Sequence, residues 1–185
     1  MQQNRRSLLE SLTPPPGAVL FLGDSITEGG EWAELLPGVT TVNRGVSGET
    51  SGQVLSRIEK SLAAPAAVCL LVGTNDLTSG VSQTAIVRNI ETMLRIIARH
   101  EPGTPVVLTA VFPRTSKYAA EVFELNQRLN RLASGRPEVQ FVNLWDRLAD
   151  ATGAICPEYS FDGLHLSGSG YSIWADELSR RLPVA

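Results

Sequence analysis

Ala18-Val19-Leu20-Phe21-Leu22-Gly23-Asp24-Ser25-Ile26-Thr27 is the stretch on which the fold turns. An unbroken apolar run ends at a glycine, and small polar residues follow at once. A continuous run closed by a breaker reads as a strand buried on both faces; a strand wetted on one side would alternate. The pattern recurs at residues 66–72, at 105–111 and, more weakly, at 139–143. Residues 39–43, Val-Thr-Thr-Val-Asn, predict a shorter and more polar edge strand. Helical spacing fills the gaps. Residues 82–100 place Ile86, Ile90, Met93, Leu94 and Ile97 three and four apart, an amphipathic stripe. Residues 50–62, 118–133 and 169–182 show similar patterns, and residues 1–13 predict a short helix stopped by Pro14-Pro15-Pro16. Strand and helix alternate, which predicts an α/β fold: a parallel sheet between two helical layers with right-handed crossovers.

The chain has 185 residues, the size of one domain, with residues 1–16 read as an N-terminal extension or short helix. Internal repeats and separating linkers are absent. Lys plus Arg is 16 and Asp plus Glu is 19, a net charge of −3, and no basic run stands out. That balance argues against nucleic acid and anionic membrane surfaces, where phosphate contacts dominate affinity. No apolar run approaches the roughly 20 residues of a membrane helix. Cys69 and Cys156 lie far apart without a Cys-x-x-Cys pair, so neither a disulfide framework nor a zinc ribbon is expected. Residues 1–16 contain no apolar segment of signal-peptide type. Free thiols and that sequence lead to the expectation of a cytoplasmic protein.

In open parallel sheets ligands bind beyond the carboxyl ends of the strands. Gly23-Asp24-Ser25 follows the first strand, Asn43-Arg44-Gly45-Val46-Ser47-Gly48 the second, Gly73-Thr74-Asn75-Asp76 the third, and Asp162-Gly163-Leu164-His165 precedes the last helix. Ser25 is the candidate nucleophile, needing an adjacent base. Taken alone it reads first as a helix N-cap. A phosphate cradle is disfavoured by Asp24 and by the lack of a Gly-x-Gly-x-x-Gly pattern. Of the two histidines, His100 ends a long helix and suits its C-terminus. His165 is the candidate base, with Asp162 three residues earlier as its orienting carboxylate; an Asx-turn beside a surface histidine is the alternative. Ser25 N–H, Gly45 N–H and the Asn75 amide are candidate oxyanion donors, each typically worth about 10²–10³ in rate. Gly45 and Asn75 also fit ordinary turns. With so few histidines and no cysteine pair, no metal is expected, and no cofactor is called for. Arg44, Leu77, Phe112 and Arg114 stand near strand ends and are candidate substrate-pocket residues.

Taken as an ordered set, these motifs resemble those of the GDSL, or SGNH, hydrolase family, over roughly residues 18–182. The short chain and the Gly73-Thr74-Asn75-Asp76 form look most like its platelet-activating-factor acetylhydrolase-like and small bacterial esterase branch. The resemblance implies a flavodoxin-like five-stranded sheet in order 2-1-3-4-5. It also implies metal-independent hydrolysis of short-chain carboxylic esters through Ser25, Asp162 and His165. The expected partner is a small-molecule ester, with a homodimer compatible. An O-acyltransferase using the same residues, or a non-catalytic flavodoxin-like module holding a flavin or nucleotide, are the alternatives.

Overall fold

A computed structural model describes residues 2–182. The apolar runs form one parallel sheet: β1 (Val19–Gly23), β2 (Thr41–Gly45), β3 (Ala67–Leu71), β4 (Val106–Thr109) and β5 (Val139–Val142). The strand order is β2-β1-β3-β4-β5, with β2 at one edge as its polarity predicts. Helices connect the strands: α1 (Gln2–Glu10) precedes the sheet, and α2 (Ser25–Glu28) and α3 (Trp32–Leu35) follow β1. Next come α4 (Ser51–Leu55) and α5 (Ile58–Ser61) after β2, and α6 (Thr74–Thr78) and α7 (Gln83–His100) after β3. The chain ends with α8 (Ala119–Ser134) after β4, then α9 (Trp145–Leu148) and α10 (Gly168–Ser179) after β5.

Alternate residues of each central strand enter different cores. Leu20, Leu22, Val68, Leu70, Val106 and Leu108 pack with α4, α5, α7 and α8. Val19, Phe21, Ala67, Cys69, Leu71 and Val107 pack with α3, α9 and α10. Each fully buried Leu, Ile or Phe stabilises by about 1.5–3 kcal/mol relative to exposure. Both faces contain several, so the sheet is a rigid platform for the loops at its carboxyl edge. The second core is aromatic: Phe21 stacks on Trp32 with centroids 4.1 Å apart, and Trp174 meets Trp32 edge-on at 4.7 Å. Cys69 lies in this core and its burial pushes the thiol pKa upward, whereas Cys156 is half-buried; both are free.

Three expectations need correcting. The edge strand runs over Thr41–Gly45, two residues later than its apolarity suggests. Pairing with β1, which sets Gly23 opposite Gly45, decides where it ends. The single helix expected over 50–62 is broken at Arg57, whose φ of −123° and ψ of 2° leave the helical region. The run 105–111 leaves the ladder after Thr109, because the Asn126 side chain takes over: its Oδ1 accepts from Val111 N–H at 2.9 Å and its Nδ2 donates to Val111 O at 2.8 Å.

Candidate active site

Gly23 ends β1 where no side chain fits: a Cβ would stand 2.2 Å from Leu71 O and from Thr27 Oγ1. The chain therefore turns tightly into α2. Asp24 caps that helix, its Oδ1 accepting from Ile26 N–H at 3.0 Å. This carboxyl is wholly buried, and desolvation pushes its pKa up to about 7 against the opposing pull of the Ile26 hydrogen bond and of His165. Ser25 begins α2 and is half-buried.

The loop before α10 brings the remaining polar groups back to Ser25. Ser25 Oγ lies 3.0 Å from His165 Nε2, and His165 Nδ1 lies 2.6 Å from Asp162 Oδ2. Asp162 Oδ1 accepts from His165 N–H at 2.8 Å, Leu164 N–H at 2.9 Å and Ser160 Oγ at 3.2 Å. The bond to His165, reinforced by these amides, holds the Asp162 carboxyl well below the usual carboxylate range. An ionised carboxylate only accepts hydrogen bonds, so Nδ1 carries the proton of a neutral ring and Nε2 accepts from the Ser25 hydroxyl. The arrangement can deprotonate a serine and stabilise the resulting imidazolium. Tyr171 Oη donates to Ile26 O at 2.8 Å and ties α10 to the nucleophile's helix.

On the other side of Ser25 the structure corrects one residue. Gly45 belongs to β2, is buried, and its N–H donates to Asn43 Oδ1 at 2.9 Å. Its missing side chain serves packing, since a Cβ there would stand 2.2 Å from Glu28 N. Gly45 is thus unavailable as a donor. Because the strand runs on for two residues, the loop starts at Val46, and its exposed glycine is Gly48. A turn closed by Glu49 N–H on Val46 O at 3.2 Å gives Gly48 a φ of +76°, a conformation that favours glycine. Among the described residues no group takes the Gly48 N–H or the Ser25 N–H. Asn75, on the first turn of α6, donates from Nδ2 to Glu49 O at 3.0 Å, which fixes the amide and leaves its second N–H free. The Ser47-Gly48 pair is the sequence signal for this turn.

The four candidate pocket residues also need correcting. Arg44 is buried and turned to α1, donating to Leu9 O and Leu12 O, both at 2.8 Å. Phe112 is buried edge-on against Trp174, and Leu77 belongs to the first core. Arg114 is buried under α6, donating to Thr74 O and Thr78 Oγ1, both at 2.9 Å, and its guanidinium stacks 4.0 Å above the Tyr118 ring. Residues at strand ends are core in these positions, and the two arginines hold backbone carbonyls.

Residues 21–173 match the GDSL-like lipase/acylhydrolase family. The chain belongs to that family. This GDSL-like hydrolase is 29% identical over 183 residues to human platelet-activating factor acetylhydrolase IB subunit alpha2, covering 93% of this chain and 78% of that protein. A solved structure from Streptococcus pneumonia, described as a candidate platelet activating factor, superposes with a TM-score of 0.90 at 30% identity, covering 98% of this chain and 92% of that one. A GDSL-like lipase from Bacteroides thetaiotaomicron gives 0.81 at 26% identity, over 97% and 96% of the two chains. Among the described residues of the hydrolase, no helix is long and apolar enough to cross a membrane.

Proposed function

We propose that the protein is a serine esterase that hydrolyses short-chain carboxylic esters, of acetyl or aryl type, through an acyl-enzyme on Ser25. The observation that carries this reading is the continuous relay from Ser25 Oγ through His165 to Asp162, with contacts of 3.0 and 2.6 Å. His165 Nε2 takes the hydroxyl proton as Ser25 Oγ attacks the ester carbonyl. The tetrahedral oxyanion accepts from Ser25 N–H, Gly48 N–H and the free Asn75 amide N–H. As the C–O bond breaks, His165 returns the proton to the leaving alkoxide. Water then enters, loses a proton to His165 and releases the acid and the serine. Support for a small acyl group comes from the relatives named as acetylhydrolases and from the openness of the relay, with Asp162 and His165 side chains 54% and 46% exposed.

The test is turnover of acetyl, butyryl and longer aryl esters by the wild type and by Ser25→Ala, with fluorophosphonate labelling of Ser25. The Ala variant should lose about 10⁴–10⁶ in kcat and remain folded. Near wild-type turnover by that variant would overturn the proposal.

A further inference from the structure

Glu49 is wholly buried, and its partner Arg57 nearly so at 3% exposure. Both Arg57 Nη2 and Nε reach Glu49 Oε2, at 2.6 and 2.7 Å. Such a pair is a poor way to gain stability, because desolvating both charges offsets most of their attraction and an apolar pair often does as well. Its position suggests another use. Glu49 follows Gly48, and its carbonyl receives the Asn75 amide at 3.0 Å. The same Arg57 Nη2 donates to Gly23 O at 3.2 Å, two residues before Ser25. That carbonyl also receives Val46 N–H at 3.1 Å, from the opening of the Gly48 turn. Glu49 and Arg57 together therefore touch all the segments from which the oxyanion donors come: Glu49 adjoins Gly48 and holds Asn75, and Arg57 holds the carbonyl of Gly23. A second tie runs alongside: Asp76 Oδ2 accepts from Ser51 N–H at 2.8 Å and Oδ1 from Ser51 Oγ at 2.6 Å.

We infer that the Glu49–Arg57 pair is the positioning element of the oxyanion hole, fixing the Gly48 turn and the Asn75 amide relative to Ser25; the inference rests on the acyl-enzyme reading above. The pair touches no substrate. It acts by holding donors in place, and preorganised donors favour the transition state over the bound ester. The expected signature is a loss in kcat with KM nearly unchanged.

The full chain is tested as Arg57→Lys, which keeps both charges but removes the planar fork, and as the double variant Glu49→Met with Arg57→Met, which removes both charges. Each is measured for kcat, KM, melting temperature and affinity for a short alkyl boronic acid, a mimic of the tetrahedral intermediate. Arg57→Lys should lose about 10-fold in kcat and the double variant about 10²-fold. Boronate affinity should fall in step, with KM changing less than about twofold and the folded state retained. Unchanged kcat in Arg57→Lys, or a loss confined to KM or to melting temperature, would overturn the inference. Arg57→Lys decides the matter if the double variant does not fold. Failure of the underlying reading looks different: the wild type would escape fluorophosphonate labelling and Ser25→Ala would stay active.

Discussion

The segment Ser160–His165 and the loop Gly48–Ser51 belong to opposite sides of the same proposed site and are held by different means. Asp162 finds all its partners within three residues: Ser160, Leu164 and His165. Its carboxylate stays exposed. The Gly48–Ser51 loop reaches across the chain instead, to Asn75, to Asp76 and, through Arg57, to Gly23, with the charged groups buried. The acids that hold the two regions diverge accordingly: burial raises the pKa of Asp76, while hydrogen bonding lowers that of Asp162. A locally closed segment can be rebuilt by solvent when one bond is lost. A loop fixed by long-range buried bonds loses its geometry when one bond goes, and the buried partner left unpaired costs stability.

That contrast can be broken by measurement. Asp162→Ala should cost about 10³ in kcat while barely moving the melting temperature, since its bonds are local and wet; a large drop in melting temperature would show that the segment is not self-contained. Asn75→Ala should cost about 10² in kcat with KM little changed and, unlike Asp162→Ala, should lower the melting temperature, because the Glu49 carbonyl loses its donor. Equal melting temperatures for the two variants would erase the distinction. Asp24 supplies a pH test. Its folded value of about 7 lies above the ordinary 3.8, so between those values the folded state binds more protons than the unfolded one. Stability should therefore fall as pH rises from about 4 to 7 and level off above. In Asp24→Asn that slope should flatten, as urea midpoints across this range would report; an identical slope would place the titrating group elsewhere. The smallest effect belongs to Arg6→Ala. Arg6 Nε stands 3.2 Å from Glu49 Oε1, without hydrogen-bond alignment and with its side chain 29% exposed, so kcat should change by no more than about threefold.

The sheet was legible because apolar runs report burial directly, and the carboxyl-edge rule then pointed to Ser25, Asn75, Asp162 and His165. What the sequence hid was where β2 stops. An edge strand is kept by pairing with its neighbour more than by apolarity, and the two residues gained turned Gly45 into a strand residue and left Gly48 in the loop. Arg44 and Arg114 were misread for a related reason. Nothing in their neighbours announces that a guanidinium is buried against carbonyls far along the chain. The break at Arg57 was likewise invisible, since Val54, Leu55, Ile58 and Leu62 fit one continuous helix, and the interruption comes from the arginine's reach to Glu49 and Gly23.

The two thiols differ in access in a useful way. Cys69 is shut inside the aromatic side of the sheet, whereas Cys156 is only half-buried and its carbonyl receives Tyr159 N–H at 2.9 Å, just ahead of Ser160–His165. A maleimide dye added to the unaltered protein should attach at one place. Its fluorescence would follow, in real time and without mutagenesis, how the histidine-bearing segment responds when an ester arrives.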